Sequence, residues 1–312
     1  MAEQYFVYGT TLDVKADGVG ASESVKNVCD YISSLESVFS PTIQGSDLNK
    51  INSSSVGEAV ACTSDTMHLM RVSELVFKAS NGAYDPSVYP LVRLWNFSGD
   101  KFLSGVEREV PTHSEIAKAL ELVGLDKAFS VDYEKGTITK LIDGAMLDFG
   151  GVAKGYATQK SLEKSSAKVL VNLGGNIGAS GKTYAVGIAN PTRMDRNFST
   201  PYFAKFTLLD GECVSTSGDY ERCYQANDGN IYHHIINPRS GYPVDTNEQG
   251  AVLSCTVVAK DGALADALAT AVVVLGEKEG VALLNKYGVK ALLIKSDYSH
   301  VVVGDFGIEI KQ

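Results

Sequence analysis

The chain has 312 residues, 44% of them hydrophobic and 21% charged, enough apolar material for one large domain or two intimate lobes. A formal net charge of −9 disfavours nucleic-acid backbones and anionic membranes as partners. In so acidic a chain, a phosphate-binding site must be built locally from backbone N–H groups, a helix end or a metal.

The opening residues, MAEQYFVYGTTLDVKADG, contain neither a basic nor an apolar targeting region. No run approaches the roughly 20 apolar residues of a membrane span. A cytoplasmic chain without a membrane span is therefore expected, and an exported or lipid-anchored one if a leader has been trimmed away. Residues 5–16 alternate as a strand, and Val25, Val28, Ile32, Leu35 and Val38 carry a helical spacing over 22–38. A polar segment follows from Ser40 to Gly57. The spacing predicts a second helix over 67–80, ended by Asn81-Gly82, and then a turn-rich stretch over 83–114. Thr112-His113-Ser114-Glu115 reads as a capped helix start, with the helix running to Val123.

From about residue 129 strands dominate: 128–133, 136–141, 145–149, 168–173, 184–189, 202–209 and 251–258, with a last pair within 290–310. Helices are predicted near 153–166, 262–275 and 277–287. Strand runs interrupted irregularly by helices indicate an α+β fold rather than a repeating parallel βαβ sheet. No linker stands out, so the chain reads as a single domain over 1–312, with two lobes meeting near residue 125. Five scattered cysteines without a CxxC pair read as reduced thiols.

Four segments carry candidate chemistry. In LDFGGVAKGYA (147–157) a strand ends in Gly-Gly and a helix begins at once, with Lys154 in its first turn. Glycines allow close backbone approach, and a helix N-terminus favours an anion, although such a turn is also an ordinary structural device. Neither a P-loop nor GxGxxG is present. VNLGGNI (171–177) again runs into glycines, where asparagines also serve turn geometry. VSTSGDYER (214–222) places three hydroxyls before a glycine, and HHIINPRSGYP (233–243) holds adjacent histidines. On a strand His233 and His234 face opposite ways, so at most one enters a given site, and no zinc spacing or GxSxG is found. A lone histidine beside a phosphate suits acid–base work, given its ordinary pKa of about 6.5. In DGALADALAT (261–270) Asp261 is a natural N-cap, while Asp266 and Thr270 lie one above the other on a helix face. They make half of a hard-cation site, or a simple Asp–Thr hydrogen bond on a packed helix.

These segments occur in the order and spacing of the ApbE family of flavin transferases, which the chain resembles from about residue 5 to 295. Gly9-Thr10-Thr11, the SDLNKIN run at 46–52 and DPSVYPLVRLW at 85–95 extend the likeness through the amino-terminal half. The resemblance implies an α+β fold related to the T-fold, FAD as flavin donor and Mg²⁺ as required metal. It implies Asp266, Thr270 and the carbonyl of Ala153 as metal ligands and His234 as catalytic base. Asp148, Gly151, Lys154, Gly174 and Gly175 would line the FAD site, with Ser215 and Thr216 near the phosphates. The implied activity moves FMN from FAD to a Ser or Thr of an acceptor flavoprotein and releases AMP. Alternatives are an FAD pyrophosphatase giving FMN and AMP, or a non-catalytic FAD-binding protein. Tyr89 stands where the family usually has Gly, so it stacks on the ring or reshapes the entrance. Asn237 replaces a usual Asp, and Tyr8 precedes Gly9 where Met is common.

Overall fold

The computed structural model describes residues 1–97 and 109–311; part of the stretch predicted to be turn-rich thus lies outside the described residues. Among these residues the fold is α+β, with one eight-stranded sheet and three small ones, every strand pair antiparallel. No helix is long and apolar enough to cross a membrane.

The strand predicted over 5–16 is a hairpin, β1 (Ala2–Val7) and β2 (Thr10–Asp17). Tyr8 and Gly9 both take positive φ, at 55° and 66°, the backbone of a tight two-residue turn matched to strand twist. A non-glycine residue in that conformation left no signal in the alternation. Strand β2 then pairs with β6 (Lys168–Leu173), which turns at Gly174-Gly175 into β7 (Asn176–Ser180). β10 (Cys213–Gly218), β13 (Val252–Ala259), β14 (Lys290–Lys295) and β15 (His300–Val303) complete the sheet.

Both faces of this sheet are covered. Helices α1 (Ala21–Phe39), α7 (Ala153–Leu162) and α8 (Gly262–Tyr287) pack on one face against Val171, Leu173, Cys255, Val257 and Leu293. The small sheet β8 (Tyr184–Ala189), β9 (Tyr202–Leu208) and β16 (Glu309–Ile310) covers the other, against Val214, Val258, Leu292 and Ile294. Double coverage explains why β13 reads as a nearly unbroken apolar run. A third cluster gathers Trp95, Ile116, Tyr224 and Ile236 under α4 (Tyr89–Leu94) and α5 (His113–Leu120).

Several predicted boundaries move for identifiable reasons. The polar segment 40–57 contains α2 (Asp47–Ser53), capped by Ser46 but with only Leu48 and Ile51 to bury, too short a pattern to read. Thr112 and Glu115 form the capping box of α5, which stops at Leu120. The strand predicted over 145–149 is an extended segment with a single bridge, Met146 to Val88. The two helices predicted over 262–275 and 277–287 are the halves of α8, broken where Gly276 adopts φ 76° and ψ −176°.

One contact fixes how α7 meets α8. A Cβ added to Gly155 would lie 2.0 Å from the Gly262 carbonyl oxygen, and one on Gly262 would lie 2.3 Å from that of Gly155. The helices therefore cross backbone to backbone, a distance only glycine at both positions permits. Gly155→Ala should cost about 3 kcal/mol of stability, because the obstructing atoms are backbone and cannot swing aside. Urea unfolding of the variant measures it, and a midpoint equal to that of the parent chain would refute the close crossing.

Candidate active site

A cavity of about 420 Å³ lies where the amino-terminal end of α7, the face of α8, the end of β10 and the β1–β2 turn converge. Helix α8 contributes two groups one turn apart. Asp266 is 2% exposed, and its Oδ2 accepts a hydrogen bond from Gly155 N at 3.0 Å. Thr270 Oγ1 lies 2.9 Å from Ser217 Oγ and donates to the Asp266 carbonyl at 3.3 Å. The helix starts at Asp261, whose Oδ1 accepts from Leu264 N at 3.0 Å, as an N-cap does.

The turn before α7 supplies Asp148 and Gly151 to the same cavity, and the helix's first two residues supply Ala153 and Lys154. A Cβ on Gly151 would meet Thr270 Oγ1 at 3.1 Å, so this glycine keeps backbone and hydroxyl close. Lys154 Nζ donates to the Gly150 carbonyl at 2.7 Å, while Gly150 N donates to Asp148 Oδ1 at 3.0 Å. Asp148 is held from behind: its own N–H donates to Pro86 O at 2.7 Å, and the preceding Leu147 is gripped on both sides by Asn52. Asn52 Nδ2 donates to Leu147 O at 2.9 Å and Asn52 Oδ1 accepts from Leu147 N at 2.7 Å. One side-chain amide thus replaces the missing strand neighbour of the 145–149 segment.

His233 ends the short strand Ile231–His233 and turns away, its Nε2 meeting Val244 O at 2.8 Å, whereas His234, in the bend just beyond that strand, lines the cavity. His234 N donates to Arg222 O at 3.0 Å, but its Nδ1 is sealed from solvent without a hydrogen-bond partner. Burial, reinforced by the charges of His233, Arg222 and Lys154, pushes the imidazole down to about 3, so the ring is neutral at physiological pH.

Of the other residues singled out in the sequence, Tyr89, Gly174 and Thr216 line the cavity. Tyr89 begins α4 and is 6% exposed, and Thr216 Oγ1 lies 2.8 Å from Thr256 Oγ1 across the sheet. Gly175 and Ser215 do not line it. Gly175 closes the β6–β7 turn at φ 84°, its N–H donated to Asn172 Oδ1, and Ser215 is fully buried one strand step inward from Ser217. Sequence reasoning left without a role Tyr8, Glu36, Tyr84, Asp85 and Arg222, all of which border the cavity. Arg222 closes the VSTSGDYER segment, whereas Glu36 is marked by nothing in the α1 periodicity.

The electrostatics favour a cation. Among the described lining residues five carboxylates (Glu36, Asp85, Asp148, Glu221 and Asp266) face two cations, Lys154 and Arg222. Burial raises Asp266, Asp148 and Asp85 above the ordinary carboxylate range. Among the described residues no three His, Cys, Asp or Glu side chains form a metal cluster. A buried carboxylate without an ion-pair partner, a hydroxyl and backbone carbonyls form an all-oxygen donor set, which suits a hard divalent cation whose remaining ligands come from substrate or water.

The model of the ApbE family matches residues 8–293. The chain is 32% identical to the FAD:protein FMN transferase of Treponema pallidum, over 88% of this chain and 77% of that protein. It is 28% identical to the FAD:protein FMN transferase of Haemophilus influenzae, over 94% and 86% of the two chains. The crystal structure of the ApbE protein from Thermotoga maritima superposes with a TM-score of 0.83 at 28% identity, covering 97% of this chain and 96% of that one.

Two expectations follow from the geometry. Because burial raises Asp266, its ionisation penalises the folded state as pH climbs from the unfolded carboxylate value of about 3.9. Asp266→Asn keeps an acceptor for Gly155 N–H and removes that charge. Without metal it should melt about 2 °C or more above the parent at pH 7, with the gap closing near pH 4; an unchanged or lower melting temperature at pH 7 would contradict the buried anion. Asn52→Ala leaves the N–H and C=O of buried Leu147 unpaired and should cost about 1–3 kcal/mol in urea unfolding. Asn52→Asp, which keeps the acceptor and loses the donor, should fall between parent and alanine variant, and equal stabilities would rule out the two-sided grip.

Proposed function

The chain belongs to the ApbE family, and on that premise we propose that it is an FAD:protein FMN transferase, passing FMN to a Ser or Thr hydroxyl of an acceptor protein and releasing AMP. The observation that carries this reading is the convergence of Asp266, Thr270, Ala153, Lys154 and His234 on one cavity. The names of the relatives from Treponema pallidum and Haemophilus influenzae support it.

The cavity volume falls within the range usual for sites that enclose most of a small ligand. Tyr89, Val92 and Phe97 give it an apolar wall suited to a flat ring system. Lys154 and the N–H groups at the start of α7 favour a diphosphate. Asp266, Thr270 and the Ala153 carbonyl are the residues that would hold Mg²⁺. A cation bound there neutralises charge on the phosphate oxygens.

The protein groups then divide the work. An acceptor hydroxyl oxygen attacks the FMN phosphorus as the bond to the AMP oxygen breaks, and the hydroxyl proton passes to the neutral imidazole of His234. Because the ring is neutral, it keeps a lone pair for that proton. Residues that hold the reacting groups still, rather than covalent participation by the protein, supply most of the acceleration.

Incubation with FAD, MgCl₂ and candidate flavoproteins should add one FMN mass to an acceptor Ser or Thr, read by intact-protein mass spectrometry. FMN and AMP released without any modified acceptor would favour hydrolysis instead. His234→Ala should still bind FAD but transfer about 10²–10⁴-fold more slowly; parental rates would remove the histidine from the reaction. Since the free ring is held down to about 3, the acid limb of kcat/KM should lie below about pH 5 instead of near 6.5. A limb at about 6.5 would show that the imidazole titrates normally.

A further inference from the structure

Among the described residues two cations line the cavity, and they are committed to different degrees. Lys154 is tethered to the Gly150 carbonyl at 2.7 Å. Arg222 Nη2 reaches the carbonyls of Tyr8 and Gly9 only at 3.4 Å each, well beyond the roughly 2.7–2.9 Å of a charge-assisted bond. Among the described residues its Nε and Nη1 make no hydrogen bond, and no carboxylate pairs with it. Three other arginines among the described residues are occupied. Arg193 and Arg196 converge on buried Asp219, and Arg239 donates to the carbonyls of Ser80 and Asn81 at 3.0 and 2.8 Å.

The β1–β2 turn is shaped around this guanidinium. A Cβ on Gly9 would stand 2.9 Å from Arg222 Nη2, and Gly9 already needs its positive φ for the turn. The positive charge of Arg222 is felt by both His234 and Asp148, so it faces the same space as they do. A planar fork of donors, loosely held and bordering the cavity, matches an anion that presents paired oxygens.

We propose that Arg222 binds the diphosphate of FAD, exchanging its two long contacts to the β1–β2 turn for short bonds to phosphate oxygens. The inference rests on the reading of the cavity as an FAD site. It adds to that reading a second fixed cation besides Lys154, supplied by the residue whose carbonyl holds His234 N–H. Phosphate binding and the position of the imidazole therefore share one backbone unit.

Calorimetric titration of the full chain with FAD, ADP and riboflavin in MgCl₂ buffer tests it. Arg222→Gln should weaken FAD and ADP about 10- to 100-fold while leaving riboflavin unchanged. Arg222→Lys, which keeps charge but loses the fork, should give an intermediate loss. Parental FAD and ADP affinities in Arg222→Gln would overturn the proposal, including the case in which only an acceptor protein binds more weakly. Equal losses for riboflavin and FAD would also overturn it, by showing that the arginine only shapes the pocket. Failure of the parent chain itself to bind FAD would remove the underlying reading, and this inference with it.

Discussion

The geometry of the cavity depends on the crossing of α7 and α8 at Gly155 and Gly262. With no side chain at either position, the first turn of α7 comes close enough for Gly155 N–H to reach Asp266 Oδ2 at 3.0 Å. Asp266 is thereby aimed beside Ala153 and Lys154, which precede Gly155 by two residues and one. Separating the helices by the width of a methyl group would break the hydrogen bond and leave a buried carboxylate without any donor. A site whose two helices are far apart in the chain is thus set by a steric condition at two glycines.

The same arrangement leaves the ligand-free protein under electrostatic tension. Burial raises Asp266, Asp148 and Asp85 alike, so a negative charge on any of them costs more here than in water. Such a cavity is least comfortable when empty at neutral pH. A divalent cation bound among these carboxylates would relieve that cost, which would give binding a driving force beyond contact area.

Much of the fold was legible from periodicity, because long amphipathic helices and doubly covered strands leave strong patterns. Val25, Val28, Ile32 and Leu35 mark α1, and Gly276 divides α8 between the two helices that the pattern predicts. The hairpin at Tyr8 was not legible, since its signal is a backbone conformation that tyrosine rarely adopts. The site was legible through its motifs, yet their members divide between chemistry and scaffolding in a way spacing does not reveal. Asp266, Thr270 and His234 face the cavity. Asn52 substitutes for a strand, Asp219 neutralises two arginines, Arg239 caps the end of α3 (Ser64–Ala79), and Trp95 Nε1 donates to Gly241 O at 2.8 Å. Glu36, whose carboxylate takes Tyr8 N–H at 2.7 Å, had no sequence signal because its neighbours matter only after the chain closes on itself.

The pairing of β2 with β6 has a consequence for synthesis. Asp17 opposes Lys168, so the amino-terminal hairpin must wait for about 150 further residues before its partner strand leaves the ribosome, roughly 8–30 s at ordinary elongation rates. Throughout that interval Leu12 and Val14, fully buried in the finished protein, have no sheet to join. The turn that later borders the cavity is among the first segments made, yet its sheet partner exists only once the middle of the chain has emerged.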